Sequence, residues 1–282
     1  MPLIDFILNI AGLLLWLNWL AINFDPLARA TAASLIGTLR KADPSGPKRW
    51  KFLAGLLALL YFRAVIYWQL GSAVNWTPRL DLGFVELSFR SDYFGRMLLF
   101  SLFSFALTLG IFYLWLILLS AANDKVPDTD PLQKMVRLHL RWIEGWPRVI
   151  RILLPFLIGG LLWAALHPLL SRLAIVPPTK STIQLIEQAA LIGIGTYLAL
   201  KFLIVGILLL HIINSYVYLG NHPFWGFINV TARNLLYPIS WLPLQIGRVD
   251  FLPLIGIAFV FFVTHLPATK FYVDKLSRFL PF

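Results

Sequence analysis

Residues 130–157 read DPLQKMVRLHLRWIEGWPRVIRILLPFL, and they contain every part of a unit that recurs along the chain. An acidic residue and Pro131 open an amphipathic segment, Pro147 interrupts it, and an apolar run follows. The tripeptides Asp-Pro-Leu at 25–27 and His-Pro-Phe at 222–224 open two similar units. Repetition on this scale predicts one architecture used three times. Each unit is expected to be a membrane hairpin with an interfacial segment at its turn.

The composition points to a protein that uses the bilayer as its solvent. Of the 282 residues, 59% are hydrophobic and 13% are charged, whereas soluble domains carry roughly 25% charged residues. The chain has no cysteine, which excludes disulfides and thiolate metal sites. The net charge of +11 comes from short loops beside apolar runs, where membrane topology accounts for it. We therefore expect no nucleic-acid partner.

Apolar runs of roughly the length that spans a bilayer, about 20 residues, set the predicted fold. They lie at 3–22, 52–70, 95–120, 150–173, 187–216 and 251–267, the last being short. The predicted fold is an all-α, polytopic membrane protein of about six transmembrane helices with interfacial amphipathic helices. The predicted organisation is a single membrane domain, 1–282, with hairpin repeats at 1–70, 95–173 and 187–267 and an extracytoplasmic loop at 71–94.

The distribution of Lys and Arg predicts the orientation. These residues concentrate in the turn segments 23–51 and 121–151, so the positive-inside rule places the turns in the cytoplasm and both termini outside. The expected location is a bacterial cytoplasmic (inner) membrane. No basic segment precedes the first apolar run, so that run is expected to be a retained span and not a cleaved signal peptide.

The second turn segment predicts an interfacial helix. Asp130 is a suitable N-cap with Pro131 at the first helical position, and apolar residues line one face of residues 131–144. Its basic side chains are candidate contacts for anionic lipid or for a membrane or envelope protein partner. These candidates are Arg137, Arg141, Arg148 and Arg151. The alternative is that they only anchor and orient the hairpin.

The outer loop and the spans contain further polar features. Residues 79–90 alternate polar and apolar side chains around Gly83, which predicts a short extracytoplasmic β-hairpin. Arg63 and Lys201 lie inside predicted spans, where a charge is costly. Together with His211, these two residues are candidates for an intramembrane polar site. Snorkelling of the side chain to the interface is the favoured role for Arg63, and the role of Lys201 stays open between such snorkelling and a functional site.

The histidines of the spans have two interpretations. His167 and His211 could bind haem or transfer protons, but interhelical hydrogen bonding suits their spacing better. We find no cluster of metal-ligating residues and no nucleophile beside a base. The protein is therefore expected not to be an enzyme and to hold no cofactor or metal.

The third turn segment has its own pattern of prolines. Pro238 and Pro243 exclude one continuous helix, and Gly247 permits a tight bend. Asp250 is placed to cap the last span, with Pro253 in its first turn.

Over residues 200–267, this stretch resembles the YggT family of integral membrane proteins. The family repeat has an Asn-Pro-like turn, a Pro-Ile-Arg-Arg-x-x-Pro segment and a Gly-x-x-Asp-Phe-Ser-Pro segment between two spans. The matching residues are His222, Pro223, Phe224, Pro238, Ile239, Pro243, Gly247, Asp250, Phe251 and Pro253. The family's Arg-Arg pair is Ser240-Trp241 here, and its serine before proline is Leu252.

The resemblance implies a non-enzymatic membrane protein linked to the cell envelope, to division or to osmotic tolerance. The leading hypothesis is a scaffold that organises partners or anionic lipid at the cytoplasmic membrane face. A solute or ion pathway through Lys201 and His211 is the first alternative, and a haem or cytochrome maturation factor is the second. A homo-oligomer stays open.

Overall fold

The structure is a computed structural model. It describes residues 2–20, 50–74, 76–82, 85–124, 126, 130–141, 143–179, 181–217, 220, 222–241, 244–246 and 249–265. Residues 21–49, which include the first Asp-Pro-Leu tripeptide, lie outside the described residues, as do Gly83, Pro243 and Gly247.

The described residues are mostly helical. The helices are α1 (Pro2–Leu20), α2 (Trp50–Val74), α3 (Phe94–Ala122), α4 (Pro131–Leu140), α5 (Arg148–Arg172), α6 (Thr182–Gly195), α7 (Leu200–Tyr216), α8 (Pro223–Leu236) and α9 (Leu252–His265). The short strands are β1 (Arg79–Asp81), β2 (Glu86–Ser88), β3 (Gln245–Ile246) and β4 (Val249–Asp250). Short 3-10 turns lie at Ile143–Gly145, Thr196–Ala199 and Tyr237–Ile239.

In the part of the chain that the structure describes, five helical segments are long and apolar enough to cross a membrane. They are Leu3–Leu20, Trp50–Gly71, Phe94–Ala122, Arg148–Arg172 and Thr182–Tyr216. Large apolar side chains on them, such as Leu161 at 68% and Phe202 at 66% exposure, require a lipid environment. The chain is therefore a helical membrane protein. The sixth predicted span is a 14-residue helix in the described part, short of the roughly 20 residues that cross a bilayer.

The described residues fall into two compact units. The first lies within Met1–Pro78 and Phe89–Gly110, and the second within Arg79–Ser88 and Ile111–Phe282. These boundaries differ from the predicted hairpin repeats because α3 contributes to both units. In the first unit, α1 packs on α2, and Leu56, Leu60 and Phe105 form the buried core.

In the second unit, α5 and α6 form a tightly packed antiparallel pair. Tyr197 donates a hydrogen bond to the Ile152 carbonyl at one end of the pair, and Trp163 donates to Gln188 further along. Glycine makes the close approach possible, since a Cβ on Gly193 would lie 2.7 Å from the carbonyl oxygen of Phe156. Small residues at such contacts are typical of membrane helix pairs.

The amphipathic helices of the second and third turns start in the same way. Asp130 accepts hydrogen bonds from the backbone N–H groups of Leu132 and Gln133, with Pro131 at the first position of α4, so the predicted cap is confirmed. His222 caps α8 through its ring nitrogen, 3.2 Å from the N–H of Phe224. Each helix is followed by a 3-10 turn before the next apolar helix.

The β-hairpin predicted from the alternation in residues 79–90 is confirmed over the described residues. Strands β1 and β2 pair antiparallel, with Leu80 opposite Leu87. Both leucines are buried, while the flanking strand residues are exposed. The hairpin thus buries one apolar face, which offsets the marginal stability of two isolated strands.

Candidate functional site

The first polar cluster lies inside the first unit and centres on Arg63. Its Nη2 donates to Asp5 at 2.8 Å and to Ser104 at 2.9 Å, and its Nη1 donates to Asn9 at 2.7 Å. The Tyr67 hydroxyl donates to the same Asp5 oxygen at 2.5 Å. Helices α1, α2 and α3 are therefore held together by one network of charged and polar side chains.

The expectation that Arg63 snorkels to the interface is wrong. Its side chain is 1% exposed and forms an ion pair with Asp5, and its guanidinium lies 5.4 Å from the ring centres of both Tyr67 and Phe100. Asp5 is far from Arg63 in sequence, but the packing of α1 on α2 brings it alongside. A carboxylate, an amide and two aromatic faces stabilise the charge here, so it does not need water.

The second polar cluster lies where α3 meets the start of α5 in the second unit. Arg151 is 4% exposed in its side chain and forms ion pairs with Asp124 and with Glu144. Its Nη1 also donates to Ser120, whose hydroxyl donates to Glu144 at 2.6 Å. Arg137 approaches the other oxygen of Glu144 at 3.2 Å. Two acids of the turn are thereby neutralised by two of its arginines.

A third, uncharged network joins the turn helices to the end of α3. Asn123 donates to Thr231 at 2.8 Å and accepts from Asn234 at 2.9 Å. The Gln133 side chain donates to the Asn123 carbonyl at 3.4 Å. Asn123, Gln133 and Thr231 are all fully buried. The network therefore fixes α4 and α8 against the same helix end.

The four arginines predicted as lipid or partner contacts do not form one surface. Arg151 and Arg137 take part in the internal cluster, whereas Arg141 and Arg148 are exposed. Lys134 on α4 and Arg233 on α8 are also exposed. Arg137 and Arg151 pair with the nearby acids Asp124 and Glu144. Among the described residues of these turns, the exposed cations are Lys134, Arg141, Arg148 and Arg233. A loss of Arg151 would disturb the fold before it disturbed a partner.

The residues of the third turn have structural roles where the structure describes them. Asp250 accepts from the N–H of Leu252 at 2.9 Å and Pro253 lies in the first turn of α9, as predicted. The N–H of Phe251 donates to the Leu244 carbonyl, next to the short β3–β4 pairing. Pro238 lies in the 3-10 turn that ends α8. Ile239 packs on the core that α7 and α8 share.

Lys201, His211 and Arg63 are not gathered by a common element. Arg63 belongs to the first unit, whereas the other two lie on α7 in the second. The Lys201 ammonium lies 4.9 Å from the ring centre of Phe202. His211 makes an interhelical hydrogen bond, 2.8 Å long, to Asn229 on α8, which confirms the structural interpretation of this histidine.

His167 is buried on α5, with its ring 5.7 Å from that of Trp163. Among the described residues, no group of three His, Asp or Glu side chains could hold a metal ion. A small polar cavity of about 200 Å³ lies elsewhere, lined by Thr77, Arg90, Ser91 and Asp92.

Sequence reasoning missed the partners of the buried arginines. Asp5 lies near the start of the first apolar run, and the sequence pattern gives no role to it or to Asn123, Gln133 and Glu144. The one available clue was local, since Glu144 lies seven positions before Arg151 and seven after Arg137.

Apolar helices that pack on one another and are joined by buried polar side chains define the class of this chain, a polytopic helical membrane protein. Comparison with protein families, with characterised proteins and with solved structures finds no match.

Proposed function

We propose that this protein is a non-enzymatic membrane scaffold that gathers anionic lipid, and membrane partners with it, at its turn segments. The proposal places those turns on the cytoplasmic side of a bacterial inner membrane, with the termini outside. The observation that carries it is the sorting of charge in the turns. Asp124 and Glu144 form ion pairs with Arg151 and Arg137, which are buried or half-buried. The exposed cations of the turns are therefore the ones available to contact lipid or a partner.

The exposed cations suit a membrane surface. Each Lys or Arg near an anionic surface contributes about 1 kcal/mol of attraction. Tyr237 and Trp241 beside α8 are 78% and 77% exposed, and such aromatic side chains favour the headgroup region. We define the basic turn face as Lys134, Arg141, Arg148 and Arg233. The buried Asn123 network supports this assignment, because it holds α4 and α8, which carry two of these four cations, against the end of α3.

The residues by which the third turn resembles the YggT family support the same class of protein. His222 and Asp250 cap helices, and Pro238 ends one. These roles shape a turn between apolar helices and bring no reactive group together. They support a scaffold in which the motif builds the turn and the basic residues make the contacts.

The test compares the basic turn face with exposed cations elsewhere in the chain. The variant K134Q/R141Q/R148Q should weaken the binding of phosphatidylglycerol to the purified protein by roughly 150-fold, at about 1 kcal/mol per cation. The matched control R79Q/R90Q/R172Q removes the same charge from exposed positions elsewhere. Native mass spectrometry with phosphatidylglycerol and phosphatidylcholine measures both.

Two outcomes contradict the proposal. Unchanged phosphatidylglycerol binding in the turn variant removes the lipid role of this face. Equal losses of phosphatidylglycerol binding in both variants would mean that the net charge of the protein, and not the position of the cations, determines the binding. Crosslinking of the same variants in native membranes then shows whether a protein partner depends on the face.

A further inference from the structure

The apolar segment that contains α6 and α7 is too long to stand upright in a bilayer. It runs over 35 residues, Thr182–Tyr216, with a mean hydropathy of 2.2. At 1.5 Å per residue it is about 52 Å long, while the hydrocarbon core is about 30 Å thick. A segment with this mismatch tilts, kinks or distorts the lipid around it.

The packing partners change in the middle of this segment. Before the 3-10 turn at Thr196–Ala199, α6 packs tightly on α5. After the turn, α7 packs on α8 and α9, where Leu208 forms a core with Ile228 and Leu236. Each half is therefore packed on a different group of helices, and the change of packing partners occurs at the turn.

Side chains satisfy backbone carbonyls around the turn. The Thr196 hydroxyl donates to the Gly193 carbonyl at 2.7 Å, and the indole N–H of Trp115 donates to the Ala199 carbonyl at 3.2 Å. The Tyr197 hydroxyl ties the turn to the Ile152 carbonyl of α5. A 3-10 stretch inside a helix often marks a hinge, and these donors lower the cost of its irregular backbone in lipid.

We propose that the Thr196–Ala199 turn is a hinge at which α7 changes its angle to α6 as the surrounding bilayer becomes thinner or thicker. In thin bilayers the segment bends, and in thick bilayers it straightens. Three observations support this inference: the length of the segment, the change of packing helices at its middle, and the side-chain hydrogen bonds at the turn. It stands independently of the proposed binding of anionic lipid.

The test uses the absence of cysteine from the chain. Spin labels at I186C and L209C report the distance across the turn, at positions that are 67% and 47% exposed. The two sites lie 23 residues apart, about 35 Å along a straight helix, and a bend of about 60° shortens that distance by roughly 5 Å. Electron–electron resonance in bilayers of short-chain and long-chain phosphatidylcholine should show this shortening in the thin bilayer.

Two controls keep the test decisive. The pair L57C/L70C, both exposed on α2, should keep one distance in both bilayers. W115F, which removes the donor to Ala199, should widen the distance distribution across the turn, whereas W163F removes a donor within the α5–α6 pair and should leave it unchanged. Equal I186C/L209C distances in both bilayers, with no effect of W115F, would overturn the hinge. An equal change in the α2 pair would overturn it as well, because the distortion would then be general.

Discussion

Arg63 and Arg151 are both buried, and both donate to a serine of α3, but their carboxylate partners come from different distances along the chain. Arg63 pairs with Asp5, which lies 58 positions away on another apolar helix. Arg151 pairs with Asp124 and Glu144, which belong to the turn that precedes its own helix. The first pair joins separate helices, whereas the second organises a local turn.

The difference in exposure decides how much each acid matters. Asp5 is 21% exposed in its side chain and is the acid that pairs with Arg63. Asp124 is 45% exposed in its side chain, and Arg151 forms a second ion pair with Glu144. A buried charge that loses its single carboxylate is strongly destabilising, and a pair with redundant, hydrated partners is not. The comparison therefore predicts a graded series of effects.

The largest effect is expected for Asp5→Leu. It leaves the Arg63 guanidinium buried without a carboxylate, and the free energy of unfolding should fall by about 3–5 kcal/mol. Denaturant titration in detergent micelles measures it. The double variant D5L/R63M should recover most of the loss, since no buried charge remains. If the double variant is as unstable as the single one, packing and not charge explains the effect.

Glu144→Gln should have an intermediate effect. The substitution keeps the shape but removes the charge that Arg151 and Arg137 share, at a cost of about 1.5–3 kcal/mol for hydrogen bonds to charged groups. The same titration checks the value. A loss as large as that of Asp5→Leu would mean that the two clusters do not differ in redundancy.

Ser104→Ala and Ser120→Ala test the feature that the clusters share. Each serine hydroxyl contacts a buried arginine, and each substitution should cost about 1 kcal/mol, in the range of hydrogen bonds between membrane helices. Thermal unfolding of both variants should show similar shifts. A loss confined to one of them would show that α3 supports the two arginines unequally.

The smallest effect is expected for Asp124→Asn. Arg151 retains Glu144, and the half-hydrated Asp124 gains little from its pair, so the change should be at most about 1 kcal/mol. Asp92→Asn is a suitable reference, because its pair with Arg90 is exposed on both sides. A loss of several kcal/mol from Asp124→Asn alone would contradict the redundancy of the second cluster.

The features that could be predicted from sequence depend on neighbouring residues. The Asp130-Pro131 cap, the alternation in residues 79–90 and the capping of α9 by Asp250 all follow from local backbone chemistry. Each is confirmed because the groups that bond are two to nine positions apart. The partner of Arg63 depends on which helices touch and at what height, and no local pattern contains that information.

The sequence by itself determined that this chain is a membrane protein of apolar helices joined by basic, proline-containing turns. Hydrophobic run length and helix caps are properties of contiguous residues, and the bilayer and the backbone act on them directly. The tertiary structure decided which charges are buried and which are exposed. Arg63 and Arg151 are buried while Arg141 and Arg148 are exposed. The physical reason is that the cost of a charge in a membrane depends on its partners in space, and packing alone brings those partners together.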